Sequence, residues 1–369
     1  MNIVALFTFW RIGLWITAWG ATLFLPFLPR FPYADVYLEP SEFPSWFWSF
    51  GNFDGVHYLT IAQQGYAAQF TQVFFPLYPL LVHFVGLLFA KNNLIAGLII
   101  SNTCFILFLR VFSRFIVDLG YKREKVWILL SIMTFPFSFF FGSIYSESLF
   151  ALLVILTFYL ASKNNYFLAS VCGMFAGLTR LVGVFLFPAL IIFFLEKKKI
   201  FTKSSLFLLL IPLGVVFYMF YLWWFFHDPL YFWHAQPVFG AARSGSVIIL
   251  PPQVLYRYIK ILFTVSATSY AFWVAFWELC SFSIACFLLI IAHRKKLSHS
   301  LLFFSWSCLL LPVLTGTFSS MPRYTLILFP LYIVLGTIAS RWLRFGVLCI
   351  NCILLLFFTA LFTRGFWVS

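Results

Sequence analysis

With ten acidic residues in 369, each carboxylate can be weighed on its own chemistry. Asp54 stands in Asn52-Phe53-Asp54-Gly55-Val56-His57-Tyr58, just ahead of a stretch whose apolar spacing is helical and stops at Gly65. A carboxylate there can cap the helix, which the local sequence puts first, or it can take a proton from an attacking hydroxyl; the two roles are compatible. Glu147, in Gly142-Ser143-Ile144-Tyr145-Ser146-Glu147-Ser148, opens an apolar run, where an acid either balances the helix dipole or faces a site. Arg180, in Gly177-Leu178-Thr179-Arg180-Leu181-Val182-Gly183, lies between two apolar runs. A cation among helix ends and small residues suits a phosphate, and snorkelling to the interface explains it equally.

Two further segments carry polar groups of the same kinds: His227-Asp228-Pro229-Leu230 through His234-Ala235-Gln236, and Met321-Pro322-Arg323-Tyr324. Glu278 falls inside an apolar run, which marks a functional group or a paired one. Asp118, Glu124 and Glu196 sit in or beside basic stretches and read as solvated. No His/Cys cluster has zinc-ligand spacing and no Gly-rich loop matches a nucleotide cradle. A soluble nucleotide cofactor is therefore not expected; no metal ligands are assigned, and a divalent cation stays open.

The elements that position these residues follow from composition. The chain is 63% hydrophobic and 9% charged, with a mean hydropathy of +1.00, far from the roughly 25% charge of a soluble domain. That excludes a soluble enzyme, a nucleic-acid-binding domain and a secreted disulfide scaffold. Apolar runs of about 20 residues dominate and alternating strand patterns do not, so the fold expected is an all-α polytopic membrane protein rather than a barrel. The net charge of +14 reports topology, because basic residues cluster in short loops between apolar runs. Seven Cys (104, 172, 280, 286, 308, 349 and 352) lie inside apolar segments and read as small buried residues.

Placing the basic stretches at 122–125, Lys163, 196–203, 293–296 and 341–344 on the cytosolic side fixes most of the map. The stretches 27–72, with Asp35, Glu39, Glu42 and Asp54 against Arg30, and 227–268 then lie outside. Spans are expected at 4–26, 93–117, 126–142, 146–162, 166–180, 182–195, 204–226, 269–292, 300–317, 323–340 and 345–363, about eleven in all, within one membrane domain covering 1–369. The run 74–90, which holds Pro76, Pro79 and His83, is expected at the outer interface or re-entrant, with a true hairpin as the alternative. This map, built from basic loops alone, brings Asp54, His57, Glu147, Arg180, His227, Asp228 and Arg323 to one face.

At these residues the chain resembles the PIG-V-type mannosyltransferases of the GT-C superfamily. The resemblance rests on Phe53-Asp54-Gly55-Val56-His57-Tyr58 with Gly65-Tyr66, Phe74-Phe75-Pro76-Leu77-Tyr78-Pro79-Leu80, Ser146-Glu147-Ser148-Leu149-Phe150, Thr179-Arg180-x-x-Gly183, Asp228-Pro229-Leu230 with Ala235-Gln236, and Pro322-Arg323-Tyr324. The family pattern has Trp preceded by a basic residue before the first Asp, where Asn52-Phe53 stands here. The resemblance implies a GT-C-type bundle whose long first extracytoplasmic loop contains short helices. It implies an inverting transferase in a prokaryotic cell membrane, moving mannose or another hexose from a polyprenyl-phosphate donor to a lipid or glycan hydroxyl outside the cell. Asp54 would be the base, Arg180 and Arg323 the phosphate partners, and His57, Glu147, His227, Asp228 and Gln236 the remaining binding residues. No nucleic-acid partner is implied. The rival classes are a polytopic transporter or lipid flippase and a non-catalytic subunit that keeps the fold; no internal repeat of the transporter kind is visible.

The topology has a direct check. In a background without reactive native Cys, an impermeant thiol reagent applied to intact cells should modify Cys placed at Ser41 or Ser244 and should spare Cys at Ser298. Modification at 298 overturns the map.

Overall fold

The computed structural model of the protein describes residues 2–29, 31–197, 203–241 and 243–368; Arg30, Lys198 and Lys199 lie outside the described residues. Among the described residues the fold is all-helical, 75% helix with no strand. The first half holds α1 (Ile3–Phe24), α2 (Ala34–Tyr37), α3 (Ser45–Trp48), α4 (Asp54–Gln64), α5 (Leu77–Leu87), α6 (Asn93–Asp118), α7 (Lys125–Met133) and α8 (Glu147–Ser162). Then come α9 (Tyr166–Thr179), α10 (Leu186–Glu196), α11 (Leu210–Phe226), α12 (Tyr231–His234), α13 (Pro251–Thr264) and α14 (Tyr270–Arg294). The chain ends with α15 (His299–Val313), α16 (Met321–Tyr324), α17 (Phe329–Gly336) and α18 (Arg341–Thr363).

Among the described residues five helices are long and apolar enough to cross a membrane: α1, α6, α14, α18 and Ser205–Phe226, which is α11 with part of the 3-10 turn before it. Five more apolar helices, including α5, α8, α9 and α15, run 10–17 residues, short of the about 20 that a perpendicular crossing takes. Two expected spans are broken. The run 126–142 stops as α7 at Met133, because Pro136 has no N–H to continue the ladder; Ser138 Oγ donates to the Met133 carbonyl, and Thr134 Oγ1 adds a second bond to the Leu130 carbonyl. The run 323–340 is divided into α16, a 3-10 turn over Thr325–Ile327 and α17. α18 starts earlier than expected, since the Ser340 hydroxyl accepts the Leu343 N–H and draws Arg341 to Arg344 into the helix.

The chain forms two compact units, Met1–Tyr159 with Leu335–Val368, and Leu160–Val334. In the first, α1 buries Phe7, Arg11, Leu14, Ala18 and Ala21, steps of four and three that make one seam, and it packs on α18 and α6. Phe105 and Phe108 of α6 stack on Phe141. Phe9, Ile16 and Phe24 of α1 and Ile350, Ile353 and Phe357 of α18 are exposed, an apolar outer surface of the kind lipid covers. Cys349 and Cys352 share that exposed side of α18, so they are not the buried residues expected, whereas Cys104 and Cys308 are buried; all seven Cys are free.

In the second unit α9 and α11 approach closely through glycines. A Cβ at Gly173 would meet Ile211 at 2.8 Å, and one at Gly214 would collide with the Met174 carbonyl. Glu196 is not merely solvated: its carboxylate accepts the Ser298 hydroxyl at 2.7 Å and the His299 backbone N–H, and so caps α15 from another helix.

Glu278, left open between a functional and a paired role, is paired. Its Oε2 accepts the Tyr258 hydroxyl at 2.6 Å and its Oε1 accepts the Ser320 N–H at 3.3 Å. Tyr258 in turn accepts the Phe318 N–H at 3.1 Å and meets Thr317 Oγ1 at 2.9 Å. This buried cluster fastens α13 and the turn before α16 to α14. Glu278→Ala strands two buried donors, each costing about 1–3 kcal/mol, so the thermal transition of the purified protein should fall by several degrees, and less for Glu278→Gln, which keeps one acceptor oxygen. A wild-type transition in Glu278→Ala removes the cluster from the account of stability.

Candidate functional site

The first unit builds a carboxylate-bearing junction. Asp54 does not cap α4, contrary to the sequence expectation: it is the first residue of the helix, and Phe53 holds the capping position with φ 58 and ψ −119. That backbone is unfavourable for a side chain with a Cβ. It is held by packing and hydrogen bonds. The Phe53 ring meets Phe31, Trp367 and Phe362 at 4.6, 5.3 and 5.6 Å. The Tyr145 hydroxyl donates to the Asn52 carbonyl at 2.9 Å and accepts the Asp54 N–H at 3.2 Å, while the Asn52 amide donates to the Phe362 carbonyl at 2.9 Å.

The same segment that supplies Tyr145 supplies Glu147. The Ile144 N–H donates to the Phe50 carbonyl at 2.9 Å, and the Ile144 side chain fits where Gly51 and Gly97 have no Cβ; one there would stand 3.2 and 2.7 Å from it. Tyr58 of α4 donates to Ser146 Oγ at 3.0 Å. Glu147, the next residue and 1% exposed, begins α8 at this junction. Asp54 is half-buried and His57 lies one turn along from it, stacked on Phe74 at 5.1 Å. Burial pushes the His57 imidazole below its ordinary pKa, opposed in part by the Asp54 carboxylate, so the ring is neutral near pH 7. The junction thus offers the Asp54 carboxyl and the His57 imidazole, a pair suited to accepting a proton and hydrogen-bonding a hydroxyl, with Glu147 buried where α8 begins.

The second unit gathers cations. After α9 the chain turns back so tightly that a Cβ on Gly183 would stand 2.5 Å from the backbone of Ala176 and Gly177. This accounts for the spacing Thr179-Arg180-x-x-Gly183 and leaves Arg180 extended at the apex, φ −155 and ψ 141. Its guanidinium lies over the Tyr324 ring, 5.0 Å from the centroid, and that of Arg323 is 5.9 Å from the same centroid. Two guanidinium groups on one aromatic ring form a doubly charged donor array suited to a phosphate. The Ser320 N–H bonded to Glu278 lies at the start of α16, so the Glu278 cluster also positions Arg323 and Tyr324.

The remaining candidates of this unit fall elsewhere in it. His227 ends α11 in the left-handed conformation, φ 58. Asp228 accepts the Leu230 N–H at 2.9 Å and pairs through Oδ2 with His234 Nδ1 at 2.7 Å. Gln236 donates to the Phe232 carbonyl and accepts from Arg243, which also donates to Ser319. The structure therefore brings Asp54, His57 and Glu147 together in one unit, and Arg180 and Arg323 together in the other. Sequence reasoning passed over Tyr145, Tyr324, Tyr258 and His234. Tyr145 and Tyr324 stood inside quoted motifs beside Glu147 and Arg323, and that adjacency was the available signal.

Among the described residues no three His, Cys, Asp or Glu side chains gather as a ligand set for a metal ion. No family model, no curated protein and no solved structure matches the chain.

Proposed function

We propose that the chain is an integral-membrane glycosyltransferase of the PIG-V type, taking a hexose, mannose first, from a polyprenyl-phosphate donor and passing it to a lipid or glycan hydroxyl on the extracytoplasmic side of a prokaryotic membrane. The observation that carries this reading is the strained Phe53 backbone, fixed by three rings and the Tyr145 hydroxyl, that presents Asp54 at the head of α4. Strain of this kind costs about 1–3 kcal/mol and persists where a site requires it.

In this reading Asp54 takes the acceptor proton as the acceptor oxygen forms its bond to the anomeric carbon. The bond from that carbon to the phosphate oxygen breaks on the opposite face, its electron pair leaves on the phosphate, and the configuration inverts. The family resemblance, not the geometry, assigns the charge that develops on the phosphate to Arg180 and Arg323. His57 and Glu147 hydrogen-bond the acceptor. His227, Asp228 and Gln236 are the further binding residues that the family resemblance suggests, and no step is routed through a cation.

Transfer of radiolabelled mannose from a polyprenyl-phosphate donor by the purified protein tests the reading against a transporter, a flippase or a non-catalytic subunit. Asp54→Asn should lower turnover by about 10²-fold or more with an unchanged thermal transition. Retention of more than about a tenth of wild-type activity would sink general-base catalysis by Asp54.

Arg180→Lys separates phosphate binding from snorkelling. Lys keeps a long stem and a charge, so a snorkelling residue tolerates the change. Loss of the planar fork costs a phosphate contact about 1–3 kcal/mol, or roughly 5- to 150-fold in donor kcat/KM, with acceptor KM little changed. A fully active Lys variant takes Arg180 out of the site and leaves Arg323 as the next candidate.

A further inference from the structure

A cavity of about 600 Å³ opens in the first unit between α2, the distal half of α4, α5 and the turn into α6. Its polar lining includes Tyr37, Gln63, His83, Asn93 and Lys91, and Leu87 lines its apolar side; no carboxylate is among the lining residues. The cavity is distinct from the Asp54 junction. Gln63 lies nine residues after Asp54, which on an α-helix is two and a half turns and about 14 Å along, on the opposite side of the rod.

We propose that this cavity binds the neutral glycosyl headgroup of a lipid. Side-chain amides carry donor and acceptor on one planar group and so match neighbouring hydroxyls, and Gln63 and Asn93 each bring one. His83 adds an imidazole, held by its Nδ1 2.7 Å from the Ala62 carbonyl. Tyr37 adds an aromatic ring and a hydroxyl. Such a lining would be left unpaired by a purely apolar occupant, at a cost for each polar group enclosed.

Charge excludes a bare phosphate as the preferred occupant. Lys91 is the one lining group that carries a full positive charge, and Val36 and Pro40, which also line the cavity, adjoin Asp35 and Glu39. The lipid part follows from α5, whose Leu80, Phe84 and Leu87 are 49%, 61% and 50% exposed, and from Leu88 just after it, 81% exposed. Because Leu87 belongs both to that strip and to the cavity wall, an apolar chain attached to a bound headgroup has a surface to run along. The site goes beyond the transfer reading: it holds a glycolipid on the side of α4 away from the proposed base.

The test uses the full chain in phosphatidylcholine nanodiscs, with octyl glucoside below its micelle concentration as probe and saturation-transfer NMR as readout. Wild type should bind saturably. Gln63→Trp, which fills the cavity from an exposed position, should weaken binding by about tenfold or more, and Gln63→Leu, which removes only hydrogen bonding, by about fivefold. Asp54→Asn should bind like wild type, and octyl phosphate should compete poorly. Equal binding by wild type and both Gln63 variants would mean that the probe only partitions into the bilayer, and the proposal fails. Tight octyl phosphate binding lost in Lys91→Asn would make the cavity an anion site, which also overturns it. No donor sugar is present, so failure of the transferase reading leaves this outcome untouched, and the reverse holds.

Discussion

Wherever a helix breaks in a chain this apolar, the freed backbone groups must be met by a side chain, since water is scarce and an unmet group costs several kcal/mol in hydrocarbon. That constraint organises both units. The break before α4 is met by Tyr145, the end of α18 by the Asn52 amide, the 3-10 turn ending at Gly142 by Arg11, and the entry to α15 by Glu196. The turn ahead of α16 is met by Tyr258 and Glu278, its Gly316 carbonyl by Arg257 at 3.1 Å, and the end of α1 by Arg364 Nε at 2.9 Å from the Leu25 carbonyl. The proposed chemistry sits at two of these breaks, the head of α4 and α16, because a broken helix is where polar side chains are already required.

Close backbone approach is the second device. Ile144 reaches the Asp54 junction because Gly51, Gly55 and Gly97 leave room for it, and Arg180 reaches its apex because Gly183 folds back onto Ala176. A methyl group at Gly97 or Gly183 would stand 2.7 or 2.5 Å from a neighbour, so the side chains named as functional are carried by backbone whose path depends on residues with no side chain. The motif Thr179-Arg180-x-x-Gly183 therefore has a geometric reason independent of any resemblance.

What could be read from the sequence follows from how each element is stabilised. The apolar runs at 93–117, 146–162, 166–180 and 269–292 appear as α6, α8, α9 and α14 with ends displaced by at most two residues, because periodic apolar burial and polar ends are local signals. The interruption at Pro136 and the division of 323–340 depend on where freed carbonyls find partners, and those partners are known only once the chain has folded. Among the candidate residues, the residue types and the motif order single out Asp54 and Glu147 in one unit and Arg180 and Arg323 in the other. The Phe53 backbone was not legible, since a capping carboxylate was the ordinary expectation and the rings that overrule it come from Phe31, Phe362 and Trp367, all distant in sequence. The tyrosines that bond Asp54 and gather the arginines were hidden among 53 Phe and 17 Tyr, where one aromatic looks like another until its hydroxyl has a partner.

Arg11 carries the argument furthest, because the seam of α1 would be wholly apolar without it. It is 3% exposed and no carboxylate pairs with it among the described residues. A guanidinium so placed is costly. The offset comes from the Phe50 ring at 4.3 Å, the Trp15 ring at 4.8 Å and a charged hydrogen bond of 2.9 Å to the Gly142 carbonyl, contributions of about 1–3 kcal/mol each. Gly142 must be glycine for this, as a Cβ there would stand 2.5 Å from Arg11 Nη1. The two segments that Arg11 touches are the two that meet at the carboxylate junction: Phe50 bonds Ile144 and leads to Asp54, and Gly142 leads through Tyr145 to Glu147. A residue that reads as a misplaced charge in the first helix is thus the tie that holds both halves of that junction to α1.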